Sequence, residues 1–288
     1  MMDENQGGVR MGKVTLITGA TSGMGKATAF FLAGKGYEVY AGARKPADGE
    51  ALVAEAKGRG ISLKAVQLDV TDDGSVRAAV SRVAKESGRL DNLVNNAGFG
   101  LLGTVEESTD AEILRQFDVN VFGVGRMCRA VLPLMRAQRS GVIVNISAWL
   151  GRMGFPLLTY YNASKYAVEA ITDSLRYEAG PFGIRVHSVL PGLFGTRFVS
   201  KGLVANPATV SPASPYVALA AKLIPVVAKK INEGPDPVAV AEAVLRVIED
   251  AGAPIRTPVG VEAETFVPMA KQLTDEAFEA KVKEIFGL

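Results

Sequence analysis

Eight residues near the beginning of this chain, Thr18 to Gly25, read TGATSGMG and sit between a β-branched run and an amphipathic one. A strand that turns through closely spaced glycines into a helix is the opening of a βαβ unit, so this segment restricts the fold to an α/β type. Glycines at 19, 23 and 25 permit a tight turn, let the main chain approach a ligand, and allow the helix to pack closely. The exposed N–H groups and the positive end of the helix dipole then favour an anion such as a pyrophosphate. An NTPase phosphate loop of the form G-x-x-x-x-G-K-[ST] does not fit. Ala27 follows Gly25-Lys26 where a hydroxyl is needed, and Ala20 stands where the first glycine is needed.

Beyond that turn, short β-branched runs alternate with amphipathic stretches of helical length. Strands are predicted over 14–18, 38–42, 63–68, 92–95, 142–147, 185–190 and 255–259. Helices are predicted over 25–34, 49–57, 75–86, 111–139, 159–179 and 237–251. The strands are mostly apolar on both faces, as in a sheet covered by helices on both sides. The expected fold is α/β: one Rossmann-like, doubly wound domain over 1–288, with a seven-stranded, mostly parallel sheet and helices on both faces. A chain of 288 residues is long enough for one large core.

Residues 197–237 break this rhythm, with prolines at 207, 212, 215, 225, 235 and 237. Tyr216, Leu219, Leu223, Ile224 and Val227 supply an apolar face there, so a partly helical substrate lid is expected rather than a disordered insertion. In the extension 260–288, Phe278, Val282, Ile285 and Phe286 have the spacing of a terminal helix that docks on the body or on another subunit.

A formal net charge of +2 argues against nucleic acid or an anionic membrane as a partner. No apolar run reaches the roughly 18 residues of a membrane span; the richest, 217–227, is broken by Lys222 and Pro225. A single cysteine, Cys128, allows no internal disulfide, and MMDENQGG lacks the basic and apolar regions of a secretory leader. A cytoplasmic location is expected. One histidine and one cysteine offer no metal cluster. The histidine, His187, has no G-x-S-x-G nucleophile elbow to serve and reads as a structural strand residue.

Five motifs in order give the chain a specific resemblance. They are T-G-x-x-x-G-x-G at Thr18 to Gly25, N-N-A-G at Asn95 to Gly98, Asn120 in DVNVFG, Y-x-x-x-K at Tyr161 and Lys165, and P-G-x-x-x-T at Pro191, Gly192 and Thr196. From about Lys13 to Val259 the chain resembles the short-chain dehydrogenase/reductase family. The resemblance implies a cofactor site on Gly19, Thr21, Ser22, Gly23, Met24 and Gly25 in the turn, and on Asn96, Ala97 and Gly98 after the fourth strand. It adds Asp69 and Val70 beside the adenine, with Tyr161, Lys165, Pro191, Gly192 and Thr196 toward the nicotinamide.

NAD enzymes usually place a carboxylate at the end of the second strand to hold the ribose diol. Here that position is Ala43, followed by Arg44 and Lys45. Nothing repels a 2′-phosphate, and Arg44 can pair with it bidentately, so NADP(H) is the expected cofactor.

Tyr161 and Lys165, four apart, share a helix face. A free phenol, with pKa about 10, is a poor acid–base catalyst near neutrality; a neighbouring ammonium stabilises its phenolate. By resemblance, Lys165 also holds the nicotinamide ribose, and Asn120 holds a water that relays protons to it. One position departs from the family. The serine whose hydroxyl binds the substrate oxygen commonly lies thirteen residues before the tyrosine, and here that residue is Ala148, with Ser147 just before it. Three accounts are open: an engineered serine-to-alanine variant, a shift or bulge that lets Ser147 act, or a natural member without the hydroxyl. Adjacent strand residues face opposite ways, so Ser147 substitutes only if the backbone deviates.

The expected activity is interconversion of a carbonyl and a secondary alcohol on a hydrophobic small molecule, by a homodimer or homotetramer. Trp149 and Phe155 are candidates for an apolar pocket wall. A catalytically idle nucleotide-sensing protein of the same fold is the alternative.

Overall fold

The computed structural model describes residues 12–288. MMDENQGG, read above for a leader, lies outside the described residues. The first half builds three βα units: β1 (Val14–Ile17), α1 (Gly23–Gly34), β2 (Glu38–Ala43), α2 (Pro46–Gly58), β3 (Lys64–Gln67) and α3 (Asp73–Ser87). β4 (Asn92–Asn95), β5 (Gly100–Leu102), α4 (Asp110–Phe117), α5 (Gly123–Gln138), β6 (Gly141–Ile146), α6 (Thr159–Ala179) and β7 (Ile184–Pro191) follow. The last third comprises β8 (Leu203–Ala205), α7 (Val217–Asn232), α8 (Val238–Glu249), β9 (Arg256–Val259), α9 (Val261–Gln272) and α10 (Asp275–Phe286).

Seven strands form one sheet in the order β3-β2-β1-β4-β6-β7-β9. Every pairing in it is parallel, from Val14↔Glu38 to Pro191↔Val259. Chain order reverses between β1 and β4, so the crevice outside their carboxyl ends is the place where a doubly wound sheet binds its ligand. Period-two alternation divides the core. Leu16, Leu93 and Ile143 pack with Val80 of α3, Val131 of α5 and Val168 of α6. On the other face Ile17, Val94 and Val144 pack with Leu32 of α1, Leu52 of α2 and Val244 of α8. A third cluster, holding Ala148, Trp149, Phe155, Leu223, Phe266 and Val282, joins the end of β6 to α7, α9 and α10.

The sheet agrees with the sequence expectation. Three other features differ from it. The helix predicted over 111–139 is interrupted by a π-helical turn over Asp118–Phe122, where one extra residue per turn pushes Asn120 into the interior. β5 and β8, three residues each, form a separate two-stranded parallel sheet that pairs Gly100 with Leu203, a contact with no local sequence signal. α9, with Pro268 inside it, lies outside the helices predicted from the sequence. The segment 197–237 is partly helical as expected, through α7, with Leu223, Ile224 and Val227 inward. Tyr216 does not join that face; its hydroxyl donates to Glu106 Oε2 at 2.6 Å.

Candidate active site

Two elements build the anion end of the crevice. Gly19 and Gly23 hold φ of 63° and 54°, the left-handed region that favours glycine. A Cβ on Gly25 would lie 2.3 Å from Asn96 Nδ2 and 2.5 Å from Gly19 O, so only glycine lets α1 sit this close to β4. Asn96 in turn clamps the turn. Its Nδ2 donates to Thr18 O at 2.9 Å and Gly19 O at 3.1 Å, while Thr18 Oγ1 accepts from the N–H groups of Asn96 and Ala97, both at 2.9 Å. Ser22 precedes α1 with extended backbone and makes no side-chain cap bond. The first-turn N–H groups of α1 thus lack a capping side chain of their own and suit a phosphate.

The cavity is about 480 Å³ and is lined by Gly19, Thr21, Ser22, Gly23 and Met24 from the turn. Arg44, Asp69, Val70, Asn96, Ala97 and Gly98 line it from the ends of β2, β3 and β4, and Pro191, Gly192 and Thr196 from the end of β7. Thr196 faces the turn: its Cβ would lie 3.7 Å from a Cβ on Gly23. Arg44 is exposed, follows the buried Ala43, and makes no ion pair within 4.0 Å among the described residues. Asp69 Oδ1 accepts from Thr71 N at 3.0 Å and Thr71 Oγ1 at 2.7 Å, and Asp72 caps α3 through Gly74 N. Of the cofactor residues expected from sequence, Gly25 and Lys45 do not line the cavity. Gly25 is buried under the turn, and Lys45 is exposed at the start of α2.

At the other end α6 brings Tyr161 and Lys165 to the same cavity, as four-residue spacing requires. Lys165 Nζ lies 5.7 Å from the Tyr161 ring centroid and donates to Ile146 O at 2.9 Å. Burial lowers the Lys165 pKa to about 8, against the opposing carboxylate of Glu169. Burial holds the Tyr161 phenol above its ordinary value; its ring packs on Phe198 with centroids 6.1 Å apart. Tyr160 does not line the cavity. Asn120 stands behind Lys165 rather than on the cavity wall. Its Nδ2 donates to Phe99 O at 2.9 Å and Ser164 Oγ at 3.1 Å, and its Oδ1 accepts from Phe99 N at 3.1 Å. Gly98 lies between the two, since a Cβ there would be 3.2 Å from Asn120 Oδ1 and 3.8 Å from Lys165 Nζ.

Ser147 and Ala148 both border the cavity, but they differ. Ser147 N continues the sheet ladder to Val189 O at 2.9 Å, and Ala148 is extended at φ −164°, ψ 162°. Ser147 Oγ is buried without a hydrogen-bond partner, only 2.7 Å from where a Cβ on Gly151 would stand. Ala148 belongs to the apolar cluster with Trp149 and Leu150.

Apolar side chains complete the cavity. Trp149 and Phe155 line it and also pack with the rest of the wall, so they are both pocket and core. Phe198 and Leu203 line it from the segment 197–237 expected as a lid, whereas Leu102 and Phe286 are not singled out by the sequence; the helical spacing around Phe286 is readable, but spacing does not say where a helix docks. His187 is buried on β7, its Nδ1 2.9 Å from Pro254 O. Cys128 is free and buried, its thiol pushed up to about 12 by burial. Among the described residues no three His, Cys, Asp or Glu group to hold a metal. No described helix is long and apolar enough to cross a membrane.

A doubly wound parallel sheet with an anion-binding turn at its switch point and a Tyr–Lys pair in the same cleft is a dinucleotide-dependent oxidoreductase architecture. The family model for short chain dehydrogenase matches residues 13–203. A 3-ketodihydrosphingosine reductase from Bacteroides thetaiotaomicron is 38% identical over 277 residues, 96% of this chain and 98% of that one. A short-chain dehydrogenase from Streptomyces avermitilis superposes with a TM-score of 0.79 at 35% identity, covering 95% of each chain. A short-chain dehydrogenase/reductase from Burkholderia phymatum in complex with NAD superposes with a TM-score of 0.78 at 25% identity, covering 94% of this chain and 95% of that one. The chain belongs to the short-chain dehydrogenase family. It is an oxidoreductase of that kind, whose cofactors are nicotinamide dinucleotides and whose substrates are small molecules.

Proposed function

We propose that this protein uses NADP(H) to interconvert a carbonyl and a secondary alcohol on a hydrophobic small molecule. The observation that carries this reading is that Tyr161 and Lys165 share one cavity with the glycine turn. The bound nicotinamide supplies or accepts the hydride. The chain's own residues do the rest. The main chain around Gly19 to Gly23 holds the pyrophosphate at the start of α1. Arg44 pairs with the 2′-phosphate, which no carboxylate at Ala43 opposes, and Lys45 adds positive charge beside it. Asp69 and Val70 border the adenine, and Thr196 holds the carboxamide.

Tyr161 Oη gives its proton to the substrate oxygen in reduction and takes it back in oxidation. Lys165, kept near by its bond to Ile146 O, stabilises the phenolate. Asn120, held in place by Phe99 and Ser164, holds a water that relays protons to Lys165. Ala148 leaves the developing oxyanion one donor short, and Ser147 stands in only if its side chain turns toward the pocket. The apolar wall supports a hydrophobic substrate, and the Bacteroides relative named for reducing a ketone supports the carbonyl direction.

The test is NADPH oxidation across a panel of apolar ketones, together with NADPH and NADH binding. Wild type is expected to turn over at least one ketone and to bind NADPH more tightly than NADH, a preference that Arg44→Ala removes. NADH preferred in both proteins would refute the cofactor assignment. Ala148 favours one second reading, a catalytically idle nucleotide sensor. NADPH binding without turnover, before and after Ala148→Ser, would establish it. We also propose a cytoplasmic homodimer or homotetramer, supported by the exposed apolar residues Leu114, Phe122 and Tyr177. Light scattering should then give a mass of two or four times 30.3 kDa.

A further inference from the structure

One aromatic ring reaches the cavity from the last segment of the chain and joins Trp149 and Phe155 in its wall. Phe286, in the final turn of α10, lines the cavity. Its ring meets Phe155 edge-on with centroids 4.7 Å apart, and lies at 25° to Trp149 and 26° to Phe266, at 6.3 and 5.7 Å. The helix that carries it is fixed at both ends. Thr274 caps the start through Ala277 N, and Gly287 ends it at φ 64°. Lys222, on α7, donates to Gly287 O, so the lid helix and the terminal helix are tied together beside the Phe286 ring. Trp149 directly follows Ala148, so this aromatic wall begins one residue from the position where the family's oxyanion donor stands.

We infer that Phe286 is the specificity-determining residue of this site, an end wall that limits the length of the apolar chain a ketone carries away from Tyr161. The inference rests on the proposed carbonyl chemistry and deepens it: the substrate is a ketone with an extended apolar tail, lying between the aliphatic side chains of α7 and the aromatic wall. Each methylene taken from water to apolar contact is worth about fourfold in binding. Specificity should therefore climb with chain length until the tail meets Phe286, then level off or fall. A rigid ring filling the end of the pocket sets such a limit, whereas a flexible or solvated end would not.

The experiment uses the full chain with NADPH and a series of straight-chain methyl ketones, 2-butanone to 2-tetradecanone. Phe286→Ala should move the maximum of kcat/KM to a ketone at least two carbons longer, and Phe286→Leu to an intermediate length. Thermal melts confirm that both variants are folded. The single tryptophan, Trp149, gives a readout independent of turnover, because it forms the wall itself. Ketone titrations followed by its fluorescence should show the same displacement of the preferred length. A preferred length unmoved in both assays would overturn the inference while leaving the carbonyl reading intact. If neither the wild type nor Ala148→Ser reduces any ketone in the series, the carbonyl reading fails instead, and the fluorescence titration alone still decides whether Phe286 limits the site.

Discussion

Ala148 and Ser147 differ by one position and by which side of β6 they serve. With the ladder unbroken to Val189, Ser147 Oγ is buried beside Gly151, while Ala148 joins the apolar pocket wall. Restoring the hydroxyl with Ala148→Ser is therefore expected to raise ketone reduction by about 10²–10³, the worth of one preorganised oxyanion donor. Ser147→Ala should change the rate less than threefold, a small effect consistent with a side chain turned away from the substrate. Steady-state kcat on one reduced ketone checks both; a Ser147→Ala variant that loses turnover would reverse the assignment. Lys165 gives a second prediction at this scale. Burial lowers its pKa from 10.5 to about 8, so between those values the folded protein binds fewer protons than the unfolded chain. Its penalty on stability is complete below about pH 8 and is relieved as pH rises toward 10.5. Lys165→Met removes that penalty, about 3 kcal/mol at neutral pH, and leaves Ile146 O unbonded, which costs about 1–3 kcal/mol. The variant should be inactive yet no less stable than wild type at pH 7 in urea, with any gain shrinking by pH 10.

At the scale of elements, the turn between β1 and α1 shows how completely some of this site was readable. Gly19 and Gly23 take the positive φ that their sequence context suggested, and Asn95 to Gly98 arrive beside them because β1 and β4 are sheet neighbours. Gly25→Ala should fail because of the close helix packing its glycine allows, against atoms only the structure names. Its Cβ meets both a side chain and the carbonyl of Gly19, so α1 must shift, at about 1–3 kcal/mol. Because that shift moves the anion-binding N–H groups, NADPH affinity measured by fluorescence should fall at least tenfold; unchanged affinity would mean the turn is not the pyrophosphate site. The terminal helix was readable as a helix from its apolar spacing, but not its partner. Docking on Trp149, Phe155 and Phe266 depends on α9, which carries Phe266 and lies outside the predicted helices. β5 and β8 were invisible for a simpler reason. Strands of three residues, about a hundred positions apart, exist only because the tertiary fold brings them together.

For the whole molecule, an ionic network ties α6 to the edge of the sheet. Arg256 on β9 donates from Nε to Glu169 Oε2 at 2.5 Å and from Nη2 to Asp173 Oδ2 at 2.6 Å, and Ser188 Oγ also donates to Glu169 Oε2, at 3.2 Å. Glu169 is buried, so removing Arg256 leaves its carboxylate with the Ser188 hydroxyl as its one hydrogen-bond donor among the described residues. Arg256→Met should destabilise the fold by about 3–5 kcal/mol in urea unfolding, whereas Asp173→Asn, at an exposed carboxylate, should cost less than about 1 kcal/mol. The same network carries the catalytic helix, since Glu169 is one turn from Lys165. The sequence by itself determined the parallel α/β class, the glycine turn, the Tyr161–Lys165 pair and the vacancy at Ala148, because each is written in short-range spacing and residue type. Tertiary structure alone decided that Ser147 Oγ is buried without a partner, that a π-turn draws Asn120 behind Lys165, and that Phe286 lines the pocket. Those are matters of packing and docking, and no local pattern encodes a contact such as Phe286 with Phe155, whose halves lie more than a hundred residues apart.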